Sequence, residues 1–135
     1  MRRTVLAAAG LVLIGAAQAT ELQRTPEAQA VLDKWLTGRV AGETRTCLPM
    51  EKTNNPIGVD DHTMLFRDGP RIWRNDLRRG TDCGKVGKPY ALVSQAIQTA
   101  GRLCTGAVVG VVDMHEPDHA VGACELGSFT LYKKP

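Results

Sequence analysis

Four cysteines, Cys47, Cys83, Cys104 and Cys124, restrict this 135-residue chain more than any other feature. The two nearest in sequence, Cys104 and Cys124, are 20 positions apart. Structural zinc sites and redox pairs place cysteines at CxxC-like spacing, so neither suits this set. Two structural disulfides are the natural reading, provided the chain matures in an oxidising compartment. Spacing alone leaves three connectivities open. The preferred expectation is a nested arrangement, Cys83–Cys104 inside Cys47–Cys124.

The N-terminus supplies that compartment. Arg2 and Arg3 precede an apolar run from Val5 to Ala17, and Ala17-Gln18-Ala19 offers the small-x-small pattern of signal-peptidase substrates. Residues 1–19 therefore read as a secretory signal cleaved before Thr20, delivering residues 20–135 as one domain to the periplasm or beyond. The apolar run is short for a membrane span. No other segment offers one, so no span is expected in the mature chain. Cleavage would remove two arginines and no acid, lowering the formal net charge from +3 to +1 (17 basic residues less two, against 14 acidic). That balance gives little electrostatic reason for a nucleic-acid partner.

Beyond the signal, Thr25–Leu36 carries the marks of a helix, taken as residues 25–37. Thr25 can cap it, Pro26 suits its first position, and Ala28, Val31, Leu32, Trp35 and Leu36 share one apolar face. Gly38 follows where a left-handed residue closes a helix. Trp35 is expected to pack against the domain rather than present a ligand platform. From about residue 44 to 133, frequent Gly, Pro and Asn divide short runs of strand formers. Thr44–Leu48 reads as a first strand. His62–Arg67 and Arg71–Asp76 flank Asp68-Gly69-Pro70 as a hairpin, with a three-residue loop expected because of the proline. Tyr90–Thr99 fits helix or strand. Ala107–Met114 reads as a central strand and Gly127–Lys133 as a closing one with Phe129 and Leu131 on one face. The fold class expected is α+β, mostly β: an N-terminal helix on a small antiparallel twisted sheet or partly open barrel.

His115-Glu116-Pro117-Asp118-His119 matches HExxH, in which two histidines one helical turn apart bind zinc. That chemistry requires an α-helix, and Pro117 denies it. An exposed loop joining two strands is favoured. The remaining metal reading gathers His115, Asp118 and His119 in that loop, with Asp113 beside them, around zinc or copper. It is kept as the alternative to a non-catalytic role, either for metal binding or as a metal-dependent hydrolase. Asp60-Asp61-His62 reads as a turn capping a strand entry, or as a carboxylate held by Arg67 or Arg74. Arg67, Arg71 and Arg74, with Arg78, Arg79 and Trp73 nearby, make the hairpin basic and a candidate seat for a small anionic ligand. Gly80–Lys85 superficially suggests a phosphate loop but has the wrong spacing, and Val86 stands where a Ser or Thr is required. Ser94 and Ser128, the only serines, lie in no triad-like context. No catalytic or cofactor-binding residues are assigned, and the chain reads as a binding or envelope-associated structural protein rather than an enzyme.

Several stretches together carry a family resemblance. They are Leu36–Gly42 leading to Cys47-Leu48, Asp60–Arg67, Ile72–Leu77 with Cys83, Leu103-Cys104 with Val109–Asp113, and Cys124–Tyr132. The last has the form C-x-L-G-x-F-x-x-Y. Over about residues 35–132 the chain resembles a family of small exported proteobacterial proteins of unknown function. The resemblance implies export, the four cysteines and the terminal run are its more specific marks, and it brings no functional residues with it.

Overall fold

A computed structural model describes residues 23–94 and 101–135. The expected signal, residues 1–19, lies outside the described residues, as do residues 95–99 of the ambiguous stretch. The helix α1 runs Pro26–Leu36, and the Thr25 hydroxyl accepts from the Ala28 N–H at 3.2 Å, as its position before Pro26 suggests. Gly38 takes φ +78°, the left-handed geometry expected just past the helix end.

Eleven strands follow among the described residues: β1 (Val40–Arg45), β2 (Cys47–Pro49), β3 (Pro56–Gly58), β4 (Thr63–Asp68), β5 (Arg71–Asp76), β6 (Arg79–Thr81), β7 (Tyr90–Ser94), β8 (Arg102–Cys104), β9 (Val108–Asp113), β10 (Glu116–Glu125) and β11 (Phe129–Lys133). All pairings are antiparallel. They form a five-stranded sheet ordered β1-β11-β5-β4-β3, a four-stranded sheet ordered β6-β10-β9-β7, and the pair β2-β8. The sheets are open, which matches the helix-on-sheet form of the expected α+β fold.

The five-stranded sheet is covered on both faces, as period-2 alternation requires of its apolar central strands. Leu65 and Ile72 face α1 and pack with Ala28, Leu32 and Val59. Met64, Phe66, Trp73, Phe129 and Leu131 point the other way, into a larger core with Val109, Val111, Leu126, Leu48 and Leu103. The Phe66 and Phe129 rings meet there at 5.8 Å in a tilted arrangement. As expected, β9 is central in its sheet, and Phe129 and Leu131 share the buried face of β11.

Three sequence expectations change. The expected strand at 44–48 is two strands: at Thr46 the chain leaves the five-stranded sheet and enters the β2-β8 pair. The β4–β5 loop has two residues, not three, since Asp68 pairs with Arg71. Gly69 at φ +57° followed by the fixed negative φ of proline gives the sign pattern of a type II′ turn, whose twist suits a hairpin. Residues 90–94 of the ambiguous stretch are strand.

The nested disulfide expectation is also overturned, because the bridges are Cys47–Cys104 and Cys83–Cys124. Sheet register explains this pairing. Cys47 lies directly opposite Cys104 in the β2-β8 ladder. Cys124 lies opposite Gly80 of β6, and Cys83 follows β6 within three residues. Closing separations of 57 and 41 residues is worth about 4 kcal/mol each by chain entropy.

Candidate functional site

The sequence candidates lie in three separate places. The basic hairpin does not form one cluster. Arg67 and Arg74 lie on the α1 side of the five-stranded sheet, with Ile72 and Leu65 as their cross-strand partners, whereas Arg71 takes the opposite parity. Arg74 Nε meets Asp76 Oδ1 at 3.0 Å, and Trp73, between Arg71 and Arg74 in sequence, is fully buried. An anion held jointly by Arg67, Arg71 and Arg74 is therefore not what this hairpin provides. Arg71 instead borders a smaller notch with Arg39, Lys133 and Lys134.

The HEPDH motif sits at the tip of the β9–β10 hairpin. Met114 and His115 form the turn, and the His115 N–H donates to Asp113 Oδ1 at 2.9 Å. The expected loop is shorter than anticipated, because β10 already begins at Glu116. Pairing is nevertheless broken across the rest of the motif. Glu116 pairs with Asp113 and Ala120 with Val112, so Pro117, Asp118 and His119 arch out opposite a single step. Proline has no N–H to give the ladder, and a bulge is where a strand tolerates it. The segment has no helical turn to bring His115 and His119 together. Among the described residues, no three His, Cys, Asp or Glu side chains are gathered in a way that could hold a metal ion.

Asp60-Asp61-His62 forms the expected capping turn. Asp60 Oδ1 accepts from the His62 and Thr63 N–H groups at 2.8 and 2.9 Å. The arginine on Asp60 is Arg24, not Arg67 or Arg74. Its Nη1 is 2.5 Å from Oδ2, and its Nη2 donates to Thr63 Oγ1. Asp61 Oδ1 accepts from the Cys83 N–H at 2.9 Å, tying this turn to Gly80–Lys85. Glycines let the two segments touch. A Cβ at Gly80 would collide with the Asp61 carbonyl oxygen, and one at Gly84 would stand 3.2 Å from Asp60 Cα. The resemblance to a phosphate loop thus resolves into close backbone packing.

The residues that do converge on an open space carry no sequence motif. Strands β3 and β7 are edges of their respective sheets, and a cleft of about 500 Å³ opens beside them. Trp35 of α1, Met50, Thr53, Asn54 and Asn55 of the 3₁₀ turn and the loop after it, Arg67 of β4, Lys88 and Tyr90 line it, together with Leu92 and the buried Leu103. The β2-β8 pair supplies Leu103, and the Cys47–Cys104 bridge holds that pair in register. A volume in this range is typical of small-molecule sites, which combine an apolar floor with a few polar groups. Arg67 was visible in the sequence for another reason. Lys88 and Tyr90 were missed, and Asn54-Asn55-Pro56 signalled only a turn. Strand parity was the available clue that Arg67 and Arg71 part company. Trp35 is half-buried at the cleft wall, so it packs against the domain as expected and also borders the space.

These features define a small β-rich domain tied by two disulfides, with one α-helix among the described residues and an edge cleft. Among its described residues no helix is long and apolar enough to cross a membrane. Comparison with protein-family models, curated proteins and solved structures found no match.

Proposed function

We propose that this is an exported, non-catalytic binding domain that takes a small organic molecule into the cleft between the edges of its two main sheets. The observation that carries the reading is the cleft itself. It is about 500 Å³ and mixed in lining, and the elements around it are held by the Cys47–Cys104 bridge and the buried core. Two disulfides support maturation outside the cytoplasm, in keeping with the secretory signal read at residues 1–19 and with the exported family that the C-x-L-G-x-F-x-x-Y run resembles.

Expression of the full chain in a Gram-negative host tests export. The mature protein should be recovered from the periplasm, start at Thr20, and weigh four hydrogens less than its reduced form. Cytoplasmic recovery of an uncleaved chain would contradict export. A thermal-shift screen of small organic molecules tests binding, with Ser94→Phe as the blocked variant, because Ser94 lines the cleft. Compounds that raise the wild-type Tm should lose their effect in Ser94→Phe. Equal shifts in both proteins would place binding elsewhere and sink the reading.

A further inference from the structure

The charge and apolar lining of the cleft point to a ligand class. We infer that the cleft selects an organic carboxylate with an apolar body, and that Arg67 together with Lys88 receives the carboxylate. This rests on the binding function proposed above.

The cations come first. Arg67 and Lys88 both line the cleft, and no acidic side chain among the described residues lines it with them. The ion pairs of the described region lie elsewhere: Arg24–Asp60, Arg45–Glu43, Lys52–Asp68, Arg74–Asp76 and Lys85–Asp82. Asp68 follows Arg67 directly but projects to the other face of the strand, where it accepts from Trp73 Nε1 at 3.4 Å and pairs with Lys52. The nearest acid in sequence is thus turned away from Arg67. The cleft presents uncompensated positive charge, which is what an anionic ligand requires.

Arg67 is also positioned. Its guanidinium lies 6.0 Å from the centre of the Trp35 ring, within the range of a cation–π contact. Lys34 lies 5.4 Å from the same ring. With two cations over it, Trp35 serves to steady Arg67 more than to offer a bare stacking surface. A steadied guanidinium gives a carboxylate two parallel donors at lower entropic cost than a free one.

Beside the neutral polar groups of Thr53, Asn54, Asn55 and Ser94, the lining has an apolar part: Met50, Ile57, Tyr90, Leu92 and Leu103. A bare inorganic anion would leave that surface wet. A neutral apolar molecule would leave the two cations unused. An aryl or short acyl carboxylate satisfies both halves, and about 500 Å³ holds a body of one to two rings.

Calorimetric titration of the oxidised protein with 2-naphthoate, 2-naphthalenemethanol and acetate tests this. Naphthoate should bind saturably, the neutral alcohol at least tenfold more weakly, and acetate not detectably. Arg67→Met should weaken naphthoate at least tenfold and change the alcohol less than twofold. Arg71→Met, on the other face of the same hairpin, should change neither. A circular-dichroism melt of each variant separates lost binding from lost folding, and Lys88→Met, outside the sheets, gives a second reading of the charge. If the alcohol binds as well as naphthoate, or Arg67→Met and Arg71→Met behave alike, the carboxylate inference is overturned while the binding cleft stands. If neither naphthalene binds at millimolar concentration and the thermal-shift screen also finds no cleft-dependent ligand, both readings fall.

Discussion

The β4–β5 and β9–β10 hairpins are closed by two-residue turns of quite different kinds, and they differ in almost everything else. The first keeps unbroken register from Thr63↔Asp76 to Asp68↔Arg71 and is buried on both faces. The second loses register twice, and Met114 to Val121 are all exposed. A strand with a core on each side cannot slip by one residue without turning its whole apolar set around, so burial enforces register. The outer hairpin has no such penalty at its tip and accommodates one histidine in its turn and a proline and a second histidine in a bulge. The segment with the most enzyme-like motif is therefore one of the segments the fold constrains least.

The largest effect that tests this contrast is expected at Trp73, the largest fully buried side chain. Trp73→Ala removes a ring packed in the larger core and should cost about 3–5 kcal/mol, read by urea denaturation. Met114→Ala at the other hairpin, where the side chain is 58% exposed, should stay within about 0.5 kcal/mol. Comparable losses from the two would erase the distinction between the hairpins.

Next in size is Asn75, buried in β5. Its side-chain amide donates to the Gly127 carbonyl at 2.8 Å, and its oxygen accepts from the Gly127 N–H at 2.9 Å. Thr105 Oγ1 also donates to that carbonyl, so it keeps a partner when Asn75 is lost. Asn75→Leu leaves mainly the buried Gly127 N–H unpaired and should cost about 1–3 kcal/mol. Amide exchange at Gly127 should quicken more than at Val109 or Val111. A neutral substitution would show that this polar pair is not needed to seat the start of β11.

The legible parts of the molecule are those whose signals are local. Thr25, Pro26 and the spacing of Ala28, Leu32 and Trp35 specify α1 within a dozen residues. The apolar run at Val108–Val112 and the Gly69-Pro70 turn do the same for strands. The disulfide pairing is not local. It depends on β6 lying beside β10 and on β2 lying beside β8, pairings fixed by tertiary packing across 40 or more residues. The cleft is less legible still. Trp35, Met50, Arg67, Tyr90 and Leu103 come from five separate stretches, and none is unusual in its own neighbourhood. Arg67 was singled out for the company of Arg71 and Arg74, yet its partner is Trp35, more than 30 residues upstream.

The smallest expected effect concerns the tip itself. His115→Ala with His119→Ala removes two exposed imidazoles, and neither side chain makes a hydrogen bond among the described residues; the one contact at His115 is through its backbone N–H. Stability should change by no more than about 0.5 kcal/mol. Calorimetric titration with zinc or copper decides whether the pair has chemistry of its own. Histidines separated by a bulge, with no helical turn to converge them, should show at most weak binding, of the kind any exposed imidazole gives, and the double variant should abolish it without altering ligand affinity in the cleft. A tight, stoichiometric zinc isotherm lost in the double variant would reverse the contrast between the hairpins. The irregular tip would then be an ordered metal site, and the broken register of β10 would be what shapes it.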